Sequence, residues 1–235
     1  GERLDVLQVQ FFRCLFGFLT VLPFVMGPML QGRIGEVLRT RRPVLHVARA
    51  LVGISGMFCG FYAVTHLPLA DAIAISFTRP LFVIVLAVLF LGEVVGWRRW
   101  AATAVGFVGV LIIVRPGTTA FDWAAVVALL GAFLVADVGI MVKKLSTTER
   151  NVTVLFYFTT ITTLVSAVPA YLVWIAPTPV EFALMVLVGI SATAGQALAL
   201  RAYRIGEASA VTPFDSTRML FAVAYGLLLF GEVPD

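Results

Sequence analysis

Two arginines and two carboxylic acids stand inside stretches apolar enough to exclude water. Arg79 lies within Ala72 to Gly92, Asp137 lies within AFLVADVGIMV, and Asp215 and Arg218 share the last apolar run. An ionised side chain at the centre of a bilayer costs about 2.5–3.5 kcal/mol on insertion scales, so such groups must face a cavity or a partner. A guanidinium presents a planar fork of donors matched to a carboxylate or phosphate, which makes Arg79 and Arg218 candidate anion-binding groups. Asp215 lies three residues before Arg218 on the same helix face, so internal pairing is the competing reading for that arginine. For Asp137 three readings stand side by side: a carboxyl that gains and loses a proton as a coupling group, a partner for Arg79 across helices, or a group beside headgroups near Lys143 and Lys144. Pro80 cannot donate to residue 76, so it predicts a kink beside Arg79, and Pro213 holds the equivalent early position in the last run. Such kinks serve gating or are merely structural, since proline is common in membrane helices.

The elements that position these groups follow from composition. Of 235 residues, 60% are hydrophobic and 13% charged, and the mean hydropathy is +1.01, which excludes a soluble domain. The expected fold is all-α, a polytopic bundle of eight transmembrane helices at residues 8–28, 47–66, 70–92, 98–115, 122–142, 152–173, 182–202 and 208–230. Trp97, Trp100, Trp123 and Trp174 fall at or beside predicted ends, where an indole prefers to sit. No segment alternates as a membrane β-strand must. Loops 29–46, 93–97, 143–151 and 203–207, with their flanks, carry Arg33, Arg39, Arg41, Arg42, Arg98, Arg99, Lys143, Lys144, Arg150, Arg201 and Arg204, against Arg3 and Arg115 on the other face. The positive-inside rule makes the first set cytoplasmic. The basic pI near 9.4 is thereby explained by topology and anionic lipid, and no nucleic-acid partner is expected. Both ends of the sequence then fall outside the cell, from which one further helix at each end is expected.

The chain repeats itself. Val52-Gly53-Ile54-Ser55 recurs as Val188-Gly189-Ile190-Ser191, and Asp71-Ala72 as Glu207-Ala208. After a three-residue slip, Thr78-Arg79-Pro80-Leu81-Phe82 matches Thr217-Arg218-Met219-Leu220-Phe221, and Leu91-Gly92-Glu93-Val94 matches Phe230-Gly231-Glu232-Val233. The matched spans are an odd number of crossings apart, so the repeats run in opposite senses, an architecture that suits alternating access around a midplane site. The expected division is residues 1–117 and 118–235 within one membrane domain. Leu67-Pro68-Leu69-Ala70-Asp71-Ala72, Pro80-Leu81-Phe82, Leu91-Gly92-Glu93 and Gly109-Val110-Leu111-Ile112-Ile113-Val114-Arg115-Pro116-Gly117, with Gly231-Glu232 more faintly in the second half, resemble the EamA-type drug/metabolite transporters across nearly the whole chain. By that resemblance the membrane is the inner membrane of a bacterium. That resemblance implies ten helices in two inverted repeats, of which this chain holds the second to ninth, and transport of a small molecule.

Other polar residues carry plainer readings. Arg13 and Arg49 lie near predicted helix ends, where a long side chain snorkels to the interface. Glu93 and Glu232 stand at helix ends, where solvation alone accounts for them. Thr159, Thr160, Thr162 and Thr163 are expected to bond to their own helix backbone. Gly56 and Gly60 form a GxxxG that allows close helix approach, within the monomer first and in a homodimer second. Cys14 and Cys59 fall inside spans and suggest no disulfide framework, and no metal cluster, cofactor motif or paired nucleophile and base is visible. The expected function is secondary active transport, by alternating access, of a small polar metabolite such as an amino acid, carboxylate, vitamin or drug-like molecule, with proton coupling as one mode. The expected partners are that substrate and membrane lipids. An intramembrane enzyme acting on a lipid or small molecule is the alternative, and would need a nucleophile and base at one depth.

Overall fold

The computed structural model describes residues 4–32, 34–114 and 123–211, and every regular element among them is an α-helix. In chain order these are α1 (Val6–Leu30), α2 (Ile34–Leu38), α3 (Pro43–His66), α4 (Leu69–Ser76), α5 (Arg79–Leu91), α6 (Trp97–Val114), α7 (Trp123–Thr148), α8 (Asn151–Leu172), α9 (Pro179–Ile205) and α10 (Ala208–Val211). Helices α1, α3, α7, α8 and α9 are each long and apolar enough to cross a membrane. The predicted span 70–92 is two shorter helices, α4 and α5. The predicted span 208–230 begins at α10, and its remainder lies outside the described residues, as do Pro213, Asp215 and Arg218.

Local chemistry sets several boundaries. Pro43 opens α3 and Pro179 opens α9, in the first turn, where a missing N–H deprives no partner. Before α9, Thr178 and Glu181 form a reciprocal cap: the Thr178 N–H donates to Glu181 Oε2 at 2.7 Å, and the Glu181 N–H donates to Thr178 Oγ1 at 3.3 Å. Gly92, at φ 67 and ψ 25, closes α5 in the left-handed region, where a side chain would be strained.

The chain divides into two compact units, each drawing on separated stretches of sequence. The first comprises Gly1–Ile54 and Met141–Arg204. Here α1 packs along α8 and crosses α9 so closely that a Cβ on Gly189 would lie 2.5 Å from Phe16 Cβ. At one end of this unit, Gln8 is fully buried and exchanges hydrogen bonds with the backbone of Ile175, at 2.6 and 3.0 Å. At the other end, Glu149 accepts from Thr40 Oγ1 at 3.0 Å and from the Arg41 N–H at 2.9 Å, and Lys143 Nζ donates to Tyr203 O at 2.7 Å. Thr40, Arg41, Lys143, Glu149 and Tyr203 all belong to loops or loop flanks assigned above to the cytoplasmic face.

The second unit comprises Ser55–Ile140 and Ile205–Asp235. Its core is built from Ala63, Ala72, Ile75, Ala125 and Ala128, with Leu67, Leu81 and Leu129 packed against them. Small residues let backbones come together, as Gly131 of α7 does against the GxxxG of α3: a Cβ there would meet Cys59 Cβ at 2.9 Å and Gly56 O at 3.3 Å. The GxxxG is therefore used within the monomer.

Candidate functional site

The first of the sequence-predicted groups sits at a break. The turn Phe77–Thr78 separates α4 from α5, Arg79 is the first residue of α5, and Pro80 the second. A proline in a first turn costs little, because the first N–H groups of a helix lack intrahelical acceptors in any case; the same proline mid-helix would remove a bond and clash. The kink expected at Pro80 takes the form of a two-residue turn that keeps Thr78 in the helical region, at φ -69 and ψ -17, with Thr78 O accepting from the N–H groups of Leu81 and Phe82 at 2.9 and 3.2 Å. Ser76 Oγ donates back to Ile73 O at 2.7 Å. Thr78 is 2% exposed, and its hydroxyl has no hydrogen-bond partner among the described residues. The interruption comes ten residues after α4 begins, about 15 Å along a helix rising 1.5 Å per residue, which is half the thickness of a hydrocarbon core. Arg79 is half-buried and engaged with other groups. Asp137, on α7, is also half-buried and engaged. Phe82, one turn after Arg79, meets Phe133, one turn before Asp137, edge to face at 5.6 Å, so α5 and α7 are neighbours in this unit.

The other unit holds a cluster that sequence reasoning passed over. Arg49 is 2% exposed and does not reach the interface, which corrects the expectation that it snorkels. Its guanidinium lies over the Phe158 ring, 4.2 Å from the centroid, and donates from Nη2 to Gln196 Oε1 at 2.9 Å and from Nη1 to Val154 O at 3.4 Å. Its Nε has no hydrogen-bond partner, and no carboxylate among the described residues forms an ion pair with it. His46 lies one turn earlier on the same helix, 1% exposed, its ring 4.8 Å from that of Tyr157 and both its nitrogens without a partner. Tyr157 in turn donates to Leu38 O at 2.8 Å, and Thr153 Oγ1 to Val37 O at 2.6 Å. One face of α3 therefore presents two cationic or ionisable groups to the aromatic face of α8. The signal was present as an arginine in a 24-residue apolar helix. Its nearness to a helix end disguised it, because length alone cannot say whether a side chain turns outward or in.

Several plainer readings are settled by contacts. Thr159, Thr162 and Thr163 each donate to a carbonyl one turn back, at 2.9, 2.8 and 2.7 Å, as expected. Thr160 departs from them, its hydroxyl buried without a partner. Glu93 is not merely solvated: it accepts from the backbone N–H groups of Ala208 and Ser209 at 2.7 and 3.2 Å and from Ser209 Oγ at 2.7 Å. An anion on the first N–H groups of α10 is favourable on both hydrogen-bonding and dipole grounds. Beside it, Arg99 Nη1 pairs with Glu207 Oε2 at 3.0 Å and donates to Ser209 Oγ at 2.9 Å.

The chain can be compared with proteins whose roles are named. A model of the EamA-like transporter family matches residues 1–115 and 122–235. The S-adenosylmethionine uptake transporter of Rickettsia prowazekii is 34% identical over 235 residues, all of this chain and 78% of that protein. The riboflavin transporter of Rhizobium johnstonii is 34% identical over 229 residues, 97% of this chain and 74% of the relative. The pseudopaline exporter CntI of Pseudomonas aeruginosa is 30% identical over 240 residues, covering all of this chain and 81% of the relative. A family match spanning nearly every residue, together with helices built to cross a bilayer, leads to one assignment: the chain belongs to the EamA-like transporter family.

Proposed function

We propose that this multi-pass transporter of the bacterial inner membrane is a secondary active carrier of a zwitterionic metabolite with an amino-acid head, S-adenosylmethionine being the first compound to test. It works by alternating access between two inverted repeats, residues 1–117 and 118–235, that together make eight crossings. The break before Arg79 is the observation that carries this reading. Discontinuous helices near mid-depth are where carriers present backbone polar groups and charges to their substrates, and here the break adds a buried, unpartnered hydroxyl. The family match in two segments, 1–115 and 122–235, supports the repeat. Relatives named for S-adenosylmethionine, at 33–34% identity over the whole chain, support the substrate. Arg79 and Asp137, with Asp215 and Arg218, serve as substrate-binding or coupling groups, and Pro80 and Pro213 place the flexible points. The excess of Lys and Arg in the loops assigned to one face sets that face in the cytoplasm.

The test is flux into vesicles reconstituted with the protein, using labelled S-adenosylmethionine and riboflavin, with and without an imposed proton gradient. Saturable flux is expected, falling at least ~100-fold in Arg79→Ala while elution profile and melting temperature hold. Chemical conversion of the probe without flux would replace the carrier by the intramembrane enzyme.

A further inference from the structure

Arg49 poses a physical problem the carrier reading leaves open. A buried guanidinium with no counter-ion among the described residues is a poor arrangement by itself, because desolvation of the charge is offset there only by neutral acceptors and an aromatic face. Of its five N–H donors, two are engaged, one of them with a carbonyl at the long distance of 3.4 Å. The group that best completes such a shell is a planar anion gripped at two points. The amide oxygen of Gln196 already occupies the place of one carboxylate oxygen, and the free Nε–H offers a second donor. Gln196 and Phe158 are themselves only half-buried, so the shell is thinnest on the side these two residues form. His46, one turn away with two unpartnered nitrogens, adds a further donor on the same helix face.

We propose that Arg49, held by Gln196 and seated on Phe158, receives the carboxylate of the transported molecule, which displaces the Gln196 amide. This rests on the carrier reading, since a covered fork becomes reachable only as the protein alternates between its open states. The site is distinct from the Arg79 break: it selects for a carboxylate, whereas the break is needed for any substrate to cross.

The full chain is purified in detergent and challenged with two probe pairs differing by a carboxylate: S-adenosylmethionine against its decarboxylated form, and L-methionine against L-methioninamide. Melting temperature reports binding, and vesicle flux reports carriage. The carboxylate member should act at a concentration at least tenfold lower than its partner. Arg49→Met should bring the pair members together while still carrying decarboxylated S-adenosylmethionine, and Arg49→Lys, which keeps charge without the fork, should narrow the gap. Gln196→Glu supplies an internal carboxylate; it should raise the melting temperature and abolish the response to both carboxylate probes, which a purely structural role for Arg49 does not predict. No carboxylate-dependent stabilisation in the unmodified protein, or discrimination that survives both Arg49 substitutions, overturns the proposal and leaves the carrier standing wherever flux is seen. Discrimination that depends on Arg49 without flux of any probe upholds the site and removes these compounds as cargo.

Discussion

Around Arg49, two helices, α8 and α9, supply a carbonyl, an amide and an aromatic face; around Arg79, one helix stops and another begins. These are two solutions to a guanidinium within an apolar run. In the first, the helices run on unbroken beside the charge, and two side chains with one backbone carbonyl, Val154 O, form the shell. In the second, the backbone is interrupted, so that Ser76 O has lost its i+4 donor to Pro80 and polar main chain becomes available near the charge. On the proposed reading the first arrangement discriminates among ligands, and the second permits movement where Pro80 withholds a hydrogen bond from the helix.

Replacing each arginine by methionine should separate the two roles most widely. Arg79→Met is expected to lower flux of every probe at least ~100-fold, and Arg49→Met only to remove about tenfold preference for carboxylates. Methionine fills much of the same volume as arginine, and each flux is compared on protein whose elution profile and melting temperature match those of the parent. Equal flux losses in the two variants would erase the distinction. Pro80→Ala comes next. It returns an N–H that can reach Ser76 O and lets α4 and α5 join, so we expect a higher melting temperature, slower hydrogen exchange at residues 77–79 and about tenfold slower flux. Unchanged exchange there would show that the break is held by packing, not by proline.

The difference between the two sites explains what could be read from sequence. Arg79 was legible because it stands ten residues into an apolar run beside a proline, where no side chain reaches water. Arg49 was not, because six residues from the start of α3 both directions are open to it, and only the aromatic face of α8 settles the choice. Helices α1, α3, α7, α8 and α9 followed from apolar length within a few residues. Thr78 hides for another reason: a threonine's unpartnered hydroxyl is a property of its neighbours. Glu93 was likewise ambiguous, since whether a carboxylate at a helix end caps another helix depends on contacts more than a hundred residues away in sequence.

Thr78→Val tests the break at smaller amplitude. The exchange keeps the shape and removes a buried hydroxyl with no partner, which should stabilise the protein by about 1 kcal/mol in thermal melts. If the hydroxyl meets substrate, flux should fall about threefold and Thr78→Ser should restore it; stabilisation with unchanged flux would make the group a packing defect.

The smallest effects are expected away from both arginines, where Glu93 and Arg99 meet the start of α10. The Arg99–Glu207 pair is 42% and 55% exposed, so water screens most of its attraction, and Arg99→Ala should cost only about 0.2–1 kcal/mol, less at high salt. Glu93 should matter more, although it pairs with no cation among the described residues, because it accepts two backbone N–H groups and a hydroxyl at once. Glu93→Gln removes the charge and one acceptor oxygen, and should cost about 1–2 kcal/mol with little dependence on salt. Both residues converge on Ser209 Oγ, which accepts from Arg99 and donates to Glu93, so the double variant should lose less than the sum of the singles. Salt titration of the three melting curves decides the matter: a strongly salt-dependent Glu93 effect would mean that charge pairing, rather than capping, holds this end of the unit.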